Sequence, residues 1–174
     1  MRAERVEQFR DILLRESEGV GERKWASYGL TPEEREYLLE PFPFLVGVIA
    51  DGAHNGARRS WALPYRLKVR MRKLLTPELV ANMELSKLSL LLAGRPSLHR
   101  YPVQTANFIW RSARQICAIY NGNTSALWAG HSAKVMLCRI DALHGVGFKK
   151  AHMMVKMLIR DRGLKVDDMH EVHL

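Results

Sequence analysis

Cysteine is scarce in this chain: of 174 residues only Cys117 and Cys138 carry a thiol. They form no CxxC pair, so neither a disulfide framework nor a thiolate-held structural metal is implied. Both lie within periodic apolar segments, where a cysteine is expected to act as a small buried hydrophobe. Long apolar runs are also missing. None approaches the roughly 20 residues a membrane helix needs. The N-terminus, Met-Arg-Ala-Glu-Arg-Val, has no apolar signal core, so a cytosolic (cytoplasmic) protein with no membrane partner is expected. HExxH is absent. His170 and His173 lie three apart without a third ligand at useful spacing, so no metal site is expected.

Acid is missing from one long stretch. Between Asp51 and Glu78 there is no Asp or Glu, while Arg58, Arg59, Arg66, Lys68, Arg70, Arg72 and Lys73 all fall there. A run of charge is usually a solvated helix face. Such a face normally mixes signs, however, and this one does not. The whole chain carries a formal net charge of +9. That excess says nothing about fold but favours a polyanionic partner, and nucleic acid is the expected one.

What is present reads as helix after helix. Residues 3–16 place Val6, Phe9, Ile12 and Leu13 on one stripe. Thr31-Pro32-Glu33-Glu34 has the form of a capping box, and its helix should end at Pro41-Phe42-Pro43. Residues 44–50 are apolar enough for a strand, but their place among helices argues for a buried helix. A loop follows over 51–56, then a helix starting at 57–63 that Pro64 should break or bend, with the basic segment continuing to about residue 75. Thr76-Pro77-Glu78 opens a helix through Asn82, and another spans 84–92 before Gly94-Arg95-Pro96. Residues 103–120 form a clear amphipathic helix stopped by Asn121-Gly122-Asn123, and 125–128 a short turn. Helices at 132–140 and 148–161 then flank Gly145-Val146-Gly147, with Gly163 capping the second. The tryptophans and Met153, Met154 and Met157 sit at helical spacing and should be core. The fold class is all-α.

The Gly145-Val146-Gly147 turn carries the most chemistry. Two glycines one residue apart permit a backbone path that a side chain would obstruct, and they leave amide N–H groups at a helix start able to grip a phosphate. Residues 140–155, Ile-Asp-Ala-Leu-His-Gly-Val-Gly-Phe-Lys-Lys-Ala-His-Met-Met-Val, contain L-x-G-V-G-x-K-x-A. This resembles the helix-hairpin-helix of the endonuclease III-like (HhH-GPD) DNA glycosylases. Phe42-Pro43-Phe44-Leu45-Val46-Gly47-Val48, Arg58 to Pro64 and Ala106 to Tyr120 with the Asn121-Gly122 turn resemble other family segments in the right order. Together the likeness covers about 41–168.

The resemblance implies a helical bundle of the DNA glycosylase type, divided into N-terminal helices (1–40, part of a second lobe), a helix-hairpin-helix domain (41–161) and a tail (162–174). It implies base excision repair: a DNA glycosylase/AP lyase, monomeric, acting on double-stranded DNA that holds a damaged base or an abasic site. Lys149 stands where the family places the amine that attacks C1′, and burial beside Lys150 would lower its pKa. Lys150 is the alternative nucleophile. Asp167 falls at the separation of the family's catalytic aspartate, although the matching residue could equally lie beyond Leu174. Gly145, Val146, Gly147, Lys150, Arg58 and Arg59 would hold the DNA, with Lys156 and the 58–73 stretch as further electrostatic contacts. His54 and Asn55 would stand in for the loop that fills the space left by the extruded base. His144 replaces a usual proline before the turn. The family's C-terminal helices and four-cysteine motif have no counterpart, so no iron–sulfur cofactor is expected. A structural monovalent cation at the hairpin remains compatible. A monofunctional glycosylase and a non-catalytic DNA-binding protein are the alternatives.

Overall fold

The computed structural model describes residues 28–52, 55–130, 132–164 and 166. Among these, eight α-helices and one 3₁₀ turn account for the regular structure, with no strand: α1 (Pro32–Tyr37), α2 (Pro41–Ala50), α3 (Ala57–Met71), α4 (Pro77–Ala81), α5 (Leu85–Ala93), α6 (Pro102–Tyr120), the 3₁₀ turn (Thr124–Leu127), α7 (Ala133–Asp141) and α8 (Gly147–Arg162). The all-α expectation holds over these residues. The N-terminal stripe at 3–16, Trp25, His54, His131, Asp167, His170 and His173 lie outside them.

Helix starts follow local chemistry. Thr31 Oγ1 accepts from the Glu34 amide at 3.2 Å, and Glu34 Oε2 returns the bond to the Thr31 amide at 3.0 Å, so the capping box forms as its residue types dictate. Thr76 and Ser132 cap α4 and α7 in the simpler way, each hydroxyl accepting one amide. The apolar segment after Pro41 is a helix, with every residue from Phe42 to Ala50 buried. A helix apolar on all sides must be covered on all sides. Accordingly α2 packs against α3, α6, α8 and the 3₁₀ turn, forming the centre of the molecule.

Two expectations need correction. Pro64 does not break its helix: α3 runs unbroken from Ala57 to Met71 with the proline inside it. An interior proline costs roughly 3 kcal/mol. Trp61, Leu63 and Leu67 are each wholly buried by keeping the helix intact, and each large apolar side chain contributes about 1.5–3 kcal/mol. The packing outweighs the proline. The cysteines are not buried: Cys138 is exposed and Cys117 partly so. The inward stripe of α7 is Ala133, Met136, Leu137 and Ile140, which leaves Cys138 facing the opposite way. Of the proposed core residues, Trp61, Trp128, Met154 and Met157 are buried, whereas Trp110 and Met153 are only partly so.

The basic stretch is largely engaged with the protein itself. Arg58 Nε donates to the Gly29 carbonyl at 2.8 Å, and Arg66 pairs with Glu34 at 3.3 Å. The Lys68 ammonium lies 4.6 Å from the centre of the Tyr37 ring. Arg70 donates to the carbonyls of Leu91, Gly94 and Pro96, closing the chain turn after α5. Arg59, Arg72 and Lys73 remain exposed on the surface.

Candidate functional site

The site is built where α2 ends. The last carbonyls of a helix lack intrahelical donors. Here Gly47 and Val48 find one in the Asp51 amide, and the next two are served by side chains from distant elements. Lys150 Nζ donates to the Ile49 carbonyl at 2.7 Å and to the Gly145 carbonyl at 3.0 Å. Ser60 Oγ donates to the Ala50 carbonyl at 3.0 Å, and His99 Nε2 lies 3.0 Å from the same oxygen. The carbonyl accepts only, so His99 must carry its proton on Nε2. Its Nδ1 is left to accept the Tyr101 amide at 3.0 Å.

Lys150 therefore ties the turn between α7 and α8 to the end of α2. Burial pushes its amine below the usual lysine range, with the Asp51 carboxylate acting in the other direction. Lys149, one residue earlier, is exposed. The burial expected at Lys149 is thus found at Lys150, because a step of one residue turns the side chain about 100° around α8, from the rim towards α2.

The turn itself combines two constraints. Gly145 and Gly147 have φ of +78° and +62°, a left-handed conformation that L side chains rarely adopt. Ser112 Oγ from α6 donates to the His144 carbonyl at 3.0 Å, fastening the turn to the body of the protein. A methyl group on Gly145 would sit 2.5 Å from Cγ of Phe108, so no side chain fits there. Val146 is buried and serves as the N-cap of α8, which has no side-chain cap.

Beside this turn a cleft of about 720 Å³ opens between α8 and the loop after α2. Lys149, His152, Lys156 and Arg160 line one side, and Met153 and Met157 add apolar surface between them. Their spacing along α8 is helical, so they form one stripe. Lys150 and Asp51 line the same cleft, and Asp51 is the only carboxylate among the described lining residues. Burial lowers the Lys156 amine, helped by the neighbouring Arg160 charge, and burial lowers the His152 imidazole. A cleft with this balance of charge suits an anionic ligand.

The structure brings Lys149 and Lys150 together with the glycine turn, but not the whole expected set. Asn55 is buried, with its amide nitrogen donating to Ser60 Oγ at 2.9 Å and its oxygen accepting the Arg100 amide at 3.1 Å. It braces the end of α2 and does not line the cleft. Arg58 and Arg59 lie in the first turn of α3, near its positive end, where cations are unfavourable to the helix. Arg59 is exposed there and Arg58 is held by Gly29. Sequence reasoning missed Asp51, His152 and Arg160 as cleft residues and His99 as a buried polar group. The i, i+4 spacing of His152, Lys156 and Arg160 was the available signal for the stripe.

His99 gives the fold a pH dependence. Burial holds its imidazole below its ordinary value, and the Lys150 and Arg59 charges add to that. The folded pKa thus lies below the unfolded value of about 6.5. Its contribution to stability is complete above that value and is lost as pH falls towards the folded pKa. Urea midpoints should accordingly drop between neutral pH and pH ~5, and the drop should shrink in His99→Gln. An undiminished drop in that variant would show that His99 is not its source.

No family model, no curated protein and no solved structure matches this chain.

Proposed function

We propose that the chain is a helix-hairpin-helix DNA glycosylase with AP lyase chemistry, as the likeness of residues 140–155 to that family implies. No relative lends it an activity, so the reading rests on those residues and on the cleft beside them. The observation that carries it is a pair of adjacent lysines in a cationic cleft, next to a turn with two left-handed glycines. The turn would hold the DNA backbone through its amides, with Lys156, Arg160 and Arg59 supplying charge. The extruded nucleotide would enter the cleft. An amine would attack C1′ as the base departs with its glycosidic bond electrons, and the sugar would then open at O4′ to give an imine; this draws electrons as the C2′ proton passes to solvent and the 3′ phosphate is expelled, after which water releases the amine. Lys149 is the nucleophile by resemblance and is exposed at the rim. Lys150 is the nucleophile favoured by burial, which raises its neutral fraction.

A second reading, a non-catalytic DNA-binding protein, is favoured by one observation: the Lys150 ammonium is already bound to two carbonyls, as a structural tie would be. Borohydride reduction on a duplex holding an abasic site separates the readings. The lyase reading expects a covalent adduct that disappears in either Lys149→Ala or Lys150→Ala and survives in the other. Salt-sensitive duplex binding without an adduct would leave a monofunctional glycosylase, detected by release of a damaged base, or the binding protein. Absence of duplex binding would overturn all three.

A further inference from the structure

The cationic cleft has one imidazole among its described lining residues, that of His152. It stands on α8 three residues after Lys149, and side chains at that spacing are neighbours, with Cβ atoms roughly 5–6 Å apart. Lys150 is two residues away, and side chains at that spacing do not face each other. The imidazole is partly buried. One helical turn back, the Phe148 ring lies 5.7 Å from it, centre to centre, at an angle of 37°. The ring is thereby braced on a helix, beside the amine at the rim.

β-Elimination needs more than an amine. Once an imine has formed at C1′, the C2′–H bond must break. Its electrons pass through C1′ to the nitrogen and return to form C2′=C3′ as the C3′–O bond to phosphate breaks. The carbon that carries this proton is bonded to the carbon held by the lysine, so a base one helical turn from that lysine is within reach of it. A positioned base with a pKa near the working pH speeds such a step by about 10²–10⁴-fold. An imidazole meets that condition. A carboxylate is a much weaker base, and the one among the described lining residues, Asp51, acts on the Lys150 ammonium.

The ionisable groups that share the cleft with His152 are Tyr28 ahead of α1, Asp51 after α2, and Lys149, Lys150, Lys156 and Arg160 on α8 itself. Helix α7 also packs on α8 but contributes no described lining residue. Burial holds the imidazole below its ordinary value, so at neutral pH the ring is in its proton-accepting form.

We propose that His152 is the catalytic base of the elimination, taking the C2′ proton from an imine on Lys149 and passing it on to solvent. This role rests on the lyase reading. It gives the two lysines separate tasks, Lys149 attacking and Lys150 tying the turn to α2.

The test is a single-turnover reaction of the intact chain with a duplex holding an abasic site, quenched with borohydride. Adducts on intact and on cut strands are then resolved by size. The parent is expected to show adduct chiefly on the cut strand. His152→Gln should still form the adduct, which reports a folded site, but should hold it on the intact strand, with cutting slowed roughly hundredfold. Conversion of intact-strand to cut-strand adduct in the parent should slow as pH falls through the imidazole pKa, below about 6.5, and the variant should lose that dependence. Cutting unchanged in His152→Gln would overturn the proposal. So would equal loss of adduct and cutting, which marks a structural role, and so would an adduct kept in Lys149→Ala but lost in Lys150→Ala. Absence of any adduct in the parent would instead overturn the lyase reading itself, and the role of His152 with it.

Discussion

Gly145→Ala is expected to destabilise the protein by about 2–5 kcal/mol and to abolish any duplex binding that depends on the hairpin. Two separate penalties add. An alanine at φ +78° is in a left-handed conformation, worth roughly 1–2 kcal/mol. Its methyl would also lie 2.5 Å from Phe108 Cγ and 2.7 Å from Cβ of the same residue, and forcing an extra methyl into a packed site typically costs about 1–3 kcal/mol. Because the nearest overlap includes the Phe108 Cβ, rotating the ring cannot relieve it; the backbones of α6 and the turn must separate. The same turn is fastened by Ser112 to His144, so the strain passes into the link between α6 and the α7–α8 pair. Urea unfolding measures the loss. The double variant with Phe108→Ala should recover the steric part and leave the conformational part. A Gly145→Ala protein as stable as the parent would mean that the turn can adopt a different path. Gly147, whose φ is also positive but whose surroundings are open, should show the conformational penalty alone.

Lys150→Met should lower stability by about 2–4 kcal/mol, since two carbonyl oxygens would each lose a donor at about 1–3 kcal/mol apiece and the methionine would recover part of the packing. Ile49 is the penultimate residue of α2 and its oxygen has no intrahelical donor, so the loss falls on the central helix of the fold. Lys149→Ala should leave stability within about 0.5 kcal/mol, as surface substitutions usually do. This contrast matters for chemistry. If Lys150→Ala loses the trapped adduct while its urea midpoint shows a largely folded protein at the assay temperature, the lysine is the nucleophile. If the adduct persists in Lys150→Ala and vanishes in Lys149→Ala, Lys150 is a tie and Lys149 the attacking amine. Equal stability of Lys150→Met and the parent would overturn the structural role given to Lys150.

Much of the helical framework could be read from local chemistry. The Thr31 capping box, the amphipathic stripe of α6 and the boundaries of α7 and α8 around two glycines follow from interactions within a few residues, which a linear pattern contains. The segment 41–50 was ambiguous by composition and was resolved by its neighbours. The candidate site was legible only in part. That Lys149 and Lys150 stand just after a glycine turn is a matter of sequence. Which of them is buried depends on the approach of Ile49, about a hundred residues away in the chain, and no local rule contains that distance. Asn55 looked like a polar loop residue and is a buried brace, because its partners Ser60 and Arg100 come from α3 and from the turn before α6.

By itself, the sequence determined the all-α class, the helix starts and the excess of positive charge, all of which arise from short-range propensity or from simple sums. Tertiary structure decided how that charge is used. It spends Arg66 and Arg70 on internal contacts, gathers Lys149, His152, Lys156 and Arg160 along one cleft, and places Glu33, Glu36, Glu40 and Glu78 along another. The physical reason is that hydrogen bonding and burial depend on which elements meet across the core, and those meetings are set by the packing of the whole chain around α2.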